Sequence, residues 1–349
     1  MSINVSLLKE ICETSGAPGS EGNVRKIVAR EIRSLVDDFQ TDNMGNIFAI
    51  KKGKISAKRV MAAAHMDEIG FIVKHIDDEG FIRFHTLGGF DPKTLTAQRV
   101  IIHGKKDIKG VMGCKPIHVM TQEERGKPAL ITDYFIDTGM SRMELDKYVE
   151  VGSTVTRDRE LIEMGNCVNC KSIDNRVAVF ILIETLKKLN KIPFDFYGVF
   201  SVQEEVGIRG ASVAAHTIEP DFGFGIDTTV AYDYPEAKDH EMITKLGDGT
   251  AIKIMDSSTI CDTRMVEFMK KTATKNKIKW QLEVLPMGGT DTAGVQRMGK
   301  GGSIAGAVSI PTRYLHQHIE MANKSDIDNS IKLLTKCTEN LDDYNWDLK

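Results

Sequence analysis

The chain has 349 residues, with 46 Lys and Arg against 49 Asp and Glu, a formal net charge of −3. That near balance excludes the basic excess of a general nucleic-acid binder. With 41% hydrophobic and 27% charged residues, the composition excludes a disordered chain. The longest uninterrupted apolar run, Val177 to Ile183, falls far short of the ~20 residues that a bilayer-crossing helix needs. Lys9, Glu10 and Glu13 interrupt the N-terminal stretch where an export signal would be apolar. A soluble cytoplasmic protein without an export signal is expected, and the length suggests about two domains.

The first 40 residues predict two helices, Val5 to Thr14 and Glu21 to Asp37, separated by the GAPGSEG break at Gly16 to Gly22. Two strands follow, Asn46 to Lys51 and Arg59 to His65. From Ile69 to about Met164 the texture changes to short alternating segments (FIVKHI, FIRFHTL, QRVIIHGK, IKGVMG, STVTR) between Gly, Asp and Pro turns, with only Ser141 to Tyr148 helical. That pattern predicts a small β-rich domain. After Cys170 helices and strands alternate again. Helices are expected over Asn175 to Leu189, Arg209 to His216, Asp262 to Lys275 and Asp326 to Leu341. Strands are expected over Phe194 to Val202, Phe222 to Ile226, Thr250 to Met255 and Ile304 to Ile310. The fold class implied is α/β, a mixed sheet flanked by helices on both faces, made of residues 1–67 and 166–349 and interrupted by a β-rich insertion at 68–165. The six cysteines are sparse and suit a reducing compartment. Cys167 and Cys170 form a C-x-x-C pair without the further ligands that structural zinc requires, and it reads as incidental.

Chemistry is sought where polar residues end apolar strands, because ligands bind outside the carboxyl ends of strands in open α/β sheets. His65 and Asp67 follow the apolar run Val60 to Ala64 and share one face of an extended segment. A carboxylate so placed can orient a metal-bound imidazole, although strands also end in ordinary polar residues. Asp174 precedes a helix and, in isolation, is a natural N-cap. Glu204 and Glu205 follow a strand that reads as buried. Adjacent like charges there would raise one pKa unless cations are present. A metal resolves the conflict if one carboxylate binds it and the other serves as general base. Asp227 ends another apolar strand, and His316 and His318 lie beyond the strand ending at Ile310. His75, His85, His103, His118, His216 and His240 have no such context. The order H-x-D, D, EE, D, H is a stronger signal than any member alone, and it suits a pair of divalent-cation sites sharing a bridging acid.

The ordered segments AAHMDEIGFIV, SIDNRVAV, QEEVGIRGA, GIDTT and PTRYLHQHIE, with ICETSGAPGSEG near the start and MGGTDTAG between the last two, resemble the tetrahedral (TET-type) di-metal aminopeptidases, the family that includes bacterial glutamyl aminopeptidases. The resemblance implies that His65, Asp174 and Asp227 bind one metal. It implies that Asp174 bridges to a second, held also by Glu205 and His316. Glu204 would be the general base and Asp67 would orient His65. The implied activity is removal of N-terminal amino acids from short peptides with a free N-terminus, by a water activated between two divalent ions, Zn²⁺ or Co²⁺. The implied assembly is a dimer formed through the insertion and, from dimers, a dodecameric shell. A related group, the di-zinc amino-acid deacetylases and carboxypeptidases, has a similar ligand order but carries its extra domain elsewhere. Here the β-rich block fills the gap between Asp67 and Asp174. A glycosidase would leave the histidines unexplained. A non-catalytic metal-binding assembly protein would have no need of Glu204.

Overall fold

The computed structural model describes residues 3–348. Helix α1 (Val5–Glu13) is capped by Asn4, whose side chain accepts from the Leu7 N–H at 3.2 Å, and it buries Leu7, Leu8, Ile11 and Cys12. Helix α2 (Gly22–Ile32) starts after the expected break but ends short of Asp37, because the chain turns into strand β1 (Asp38–Thr41). Strand β1 forms an antiparallel hairpin with β2 (Ile47–Lys51), and β3 (Ile55–His65) follows.

The insertion begins immediately afterwards. Strands β4 (Gly70–Ile76), β5 (Ile82–Leu87), β6 (Arg99–His103) and β7 (Asp107–Gly113) precede a short helix α3 (Gln122–Arg125). Strand β8 (Phe135–Asp137), helix α4 (Arg142–Leu145) and β9 (Thr154–Arg157) complete it. The six strands close into a barrel in the order β4-β5-β8-β7-β6-β9. Phe71, Val73, Ile82, Val100, Ile102, Ile136 and Val155 fill its interior as a core separate from that of the sheet. Closure removes the unpaired edges that an open sheet of this size would expose. The helix expected from Ser141 to Tyr148 is reduced to the single turn α4, and α3 was not foreseen.

The remaining elements are β10 (Ile162–Met164), β11 (Cys167–Cys170), α5 (Ile173–Lys188), β12 (Phe194–Ser201), α6 (Arg209–Ile218), β13 (Phe222–Val230), β14 (Thr250–Met255), α7 (Thr263–Lys275), β15 (Trp280–Val284), α8 (Asp291–Arg297), β16 (Ile304–Arg313), β17 (Glu320–Asn323) and α9 (Lys324–Glu339). With β1 to β3 they make an 11-stranded mixed sheet whose spine runs β1-β2-β12-β3-β13-β16-β17-β11-β10, with β14 and β15 branching from β16. Helices cover both faces. Residues of α1, α2, α5, α7 and α9 pack into one large core, and Ala211, Ala214, Ala215 and Val295 of α6 and α8 pack on the other side of the sheet. Central strands are therefore near-continuous apolar runs, as in FDFYGVFS of β12. The run Val177 to Ile183 is the fully buried middle of α5. Among the described residues no helix is long and apolar enough to cross a membrane.

Candidate active site

The four parallel neighbours β12, β3, β13 and β16 end along one edge of the sheet. His65, the last residue of β3, pairs with Ser201, the last of β12, so Glu204 and Glu205 emerge beside it. On the other side of β3, Gly225 pairs with Ala63, which carries Asp227 level with His65. Asp174 comes from the α5 start, where its backbone leaves helical values (φ −77°, ψ 110°). His316 comes from the turn after β16. Positive φ at Gln203 (54°) and His316 (59°) bends the chain beside the two parts of the cluster. Such strain concentrates where side chains must be aimed.

The imidazole Nε2 of His65 lies 3.4 Å from Asp174 Oδ1 and 3.8 Å from both Glu204 Oε2 and Asp227 Oδ1. The other Asp174 oxygen, Oδ2, lies 3.3 Å from His316 Nε2, which is 3.6 Å from Glu205 Oε2. Asp174 thus stands between two histidines, one oxygen toward each. It does not serve as the N-cap that its position before a helix suggests, and its own N–H donates to Glu320 Oε2 at 2.8 Å. Ligand atoms of His65, Asp174 and Glu205 all lie within 4.8 Å of one another. Asp174 Oδ1 and Glu205 Oε1 are buried without a hydrogen-bond partner among the described residues. Buried acceptors are almost always paired, so these two atoms are open for a cation.

Electrostatics agree. Burial pushes Glu205 up to about 7, with His316 opposing and Asp174 adding to the rise. Burial likewise lifts Glu204 and Asp227 well above the carboxylate range, against the pull of His65. Burial would also raise Asp174, but the imidazoles of His316 and His65 hold it down. Burial would lower His316, yet Glu205 and Asp174 raise it to about 10. This many buried acids in one place is unfavourable without positive charge, and oxygen and imidazole donors fit a divalent ion.

A supporting layer fixes the cluster. Asp67 accepts from the backbone N–H groups of Glu204 and Glu205 at 3.0 and 3.1 Å, and its Oδ1 is 3.5 Å from His65 Nδ1. It therefore anchors the backbone of the acid pair, while the closer partner of His65 Nδ1 is the Asp67 backbone carbonyl at 3.2 Å. His316 Nδ1 lies 3.0 Å from the carbonyl oxygen of Gly89, in the insertion. Donation to that carbonyl leaves Nε2 as the free lone pair facing Asp174 and Glu205. Sequence reasoning missed this contact, because a backbone carbonyl has no signature. It also missed Asp291, a buried acid at the start of α8 that takes the hydroxyl hydrogen of Ser201 and is raised to about 6 by burial. Asp291 lies within MGGTDTAG, and the segment itself was the available signal. His318 is not in the cluster. Burial and the nearby cations of Arg157, Arg159 and Lys171 hold it down at about 2. The C-x-x-C residues are also elsewhere, on β11, and both are free thiols.

His65, Asp174, Glu204, Glu205, Asp227 and His316 line a cleft of about 520 Å³. Residues 45–333 match the model of the M42 glutamyl aminopeptidase family. The lysyl aminopeptidase of Pyrococcus furiosus is 32% identical over 347 residues, covering 97% of this chain and 98% of that protein. An aminopeptidase from the archaeon Desulfurococcus kamchatkensis superposes with a TM-score of 0.92 at 37% identity, covering 96% of this chain and 94% of that one. The TET1 peptidase of Pyrococcus horikoshii, which can assemble into a tetrahedron or a large octahedral shell, superposes with a TM-score of 0.86 at 30% identity, covering 96% and 98%. The chain therefore belongs to the M42 glutamyl aminopeptidase family and is an aminopeptidase, a metal-dependent hydrolase of peptide bonds.

Proposed function

We propose that this chain removes the N-terminal residue of short peptides with two divalent ions, Zn²⁺ or Co²⁺. His65, Asp174 and Asp227 would hold one, and Asp174, Glu205 and His316 the other. The observation that carries this reading is the Asp174 carboxylate, whose two oxygens face His65 and His316 at 3.4 and 3.3 Å. When bound, such ions polarise the scissile carbonyl and acidify the attacking water. Glu204 takes that proton and returns it to the leaving amine. Asp67 holds Glu204 in place through the backbone. The free α-amino group of the peptide sits among the remaining acid oxygens, which restricts cleavage to the first residue.

Residues 1–67 and 166–349 form the catalytic unit in this reading, and residues 68–165 form the dimerisation domain. Dimers build a dodecameric shell in the cytoplasm that admits short peptides, with no role for nucleic acid or membrane. The test is release of an amino acid from an unblocked peptide beside its N-acetylated form, before and after chelation. Metal-dependent release from the unblocked peptide alone is expected. Preferential hydrolysis of the acetylated form would favour a deacetylase instead.

A further inference from the structure

If the α-amino group and scissile carbonyl lie among the metal ligands, the first side chain of the peptide must occupy the rest of the cleft. That remainder is walled by Ile208, Val230, Leu285, Met287 and Leu315, with Ser258 as a small polar member. Every charged side chain lining the cleft belongs to the metal and base cluster, and the rest of the lining, among the described residues, is uncharged. The wall is tightly built where Gly288 and Gly289 pass. A Cβ on Gly289 would meet Ser258 Oγ at 2.1 Å and Ile208 Cδ1 at 3.5 Å, and one on Gly288 would touch Leu285 Cδ2 at 3.7 Å.

Lys253 stands behind the lining residue Thr290, which shares Asp256 with it, and is a candidate to bind a substrate carboxylate. Its Nζ is 2.8 Å from Asp256 and 3.2 Å from Glu283, all three side chains being fully buried. Thr290 and Thr229 donate their hydroxyl hydrogens to the same two acids at 3.2 and 2.8 Å. Lys253 is thus committed to structure, and so are both acids that might have met a substrate ammonium. The four carboxylates of the cluster would be neutralised by two divalent ions, which leaves no net charge to attract a charged side chain.

We infer that this enzyme prefers peptides whose first residue is uncharged and aliphatic, such as leucine or methionine, and discriminates against glutamyl and lysyl termini. The inference rests on the aminopeptidase reading and deepens it. A glutamate or lysine placed here would give up part of its hydration to apolar contact without gaining a partner, a penalty that an aliphatic side chain does not meet. In this respect the chain departs from the substrates that its family description and its Pyrococcus furiosus relative are named for.

The test compares kcat/KM for the p-nitroanilides of leucine, methionine, glutamate and lysine, using the purified full-length protein supplied with Co²⁺. The leucine and methionine substrates are expected to exceed the other two by ~100-fold. A preference below tenfold, or one for glutamate or lysine, overturns this inference and leaves the aminopeptidase reading intact. Absence of release from all four, with hydrolysis of N-acetyl-leucine, overturns both together. Leu285→Arg adds a cation to the wall and is expected to shift the glutamate-to-leucine ratio upward by at least about tenfold. An unchanged ratio in a variant that still cleaves the leucine substrate would place the first side chain elsewhere and overturn the inference.

Discussion

Glu204 and Glu205 are adjacent in sequence and share the carboxylate of Asp67 as a backbone anchor, yet their side chains face different histidines. Glu204 approaches His65 at 3.8 Å and Glu205 approaches His316 at 3.6 Å. In the proposed mechanism only Glu204 moves a proton. Glu204→Gln keeps the shape and removes the base, so two bound ions per chain are expected together with a rate at least about 10²-fold lower. Turnover near the parent level would remove Glu204 from that role. Asp174 is the member whose loss reaches furthest, because its oxygens point both ways. Asp174→Ala is expected to lose both ions on dialysis, whereas His316→Ala loses mainly one. Metal analysis that finds two tightly held ions in Asp174→Ala would refute the bridge. The positions of these side chains were legible in the sequence, at or just beyond the ends of apolar strands and at a helix start, while their roles rested on the family resemblance. Asp291, Glu320 and the Gly89 carbonyl were not, since their roles arise only when distant segments meet.

Strand β13 alternates large apolar residues with glycine. Its sequence FGFGID places Phe222, Phe224 and Ile226 on the face toward the large core, while Gly223 and Gly225 face α8. A Cβ on Gly225 would lie 1.9 Å from Thr292 Oγ1 and 3.0 Å from Thr292 N, so the helix rests directly on the strand. That approach sets Asp291, the first residue of α8, beneath the cluster. Gly225→Ala must push α8 outward, and overpacking of this kind costs about 1–3 kcal/mol. Urea denaturation is expected to register that loss, with a fall in activity beside it. Gly22→Ala, at the open start of α2, is expected to be neutral or slightly stabilising. Equal stability of Gly225→Ala and the parent would contradict the close packing. The strand was legible from its apolar run, but the helix was not. The segment around α8 reads MGGTDTAGVQRMGKGG, whose glycines signal a loop, and tertiary contact with β13 overrides that local preference. Strands β10, β11, β15 and β17 escaped notice for a related reason, each being three to five residues long and defined by its partners.

At the scale of the whole molecule, a buried charge cluster joins barrel to sheet. Glu68, the first residue of the insertion, takes Lys171 Nζ and lies 3.4 Å from Arg176 and 3.6 Å from Arg157 at the end of β9. Arg157 also reaches Glu320 at 3.6 Å, and Glu320 in turn accepts from the N–H of Asp174. All five of these charged side chains are fully buried, so the barrel is not a loosely tethered appendage. The alternating segments made the insertion legible, but neither its closure nor this junction, which unite residues more than 80 positions apart. The connection between β7 and β8 shows apolar side chains to solvent: Ile117, Val119 and Leu130 are 59%, 62% and 59% exposed. Exposed apolar side chains such as these suit a surface that a second copy covers. With Gly89 of the same insertion holding His316, the segment that would mediate assembly also touches the site. Light scattering on the purified protein at micromolar concentration is therefore expected to give a dimer's mass or more, with a dodecamer as the end state. A mass near 38.8 kDa would refute assembly. A shell would add a separate expectation, since its interior would be reached only by short chains. Degradation of a long unfolded polypeptide at the rate of a short peptide would refute that size filter even if the assembly held.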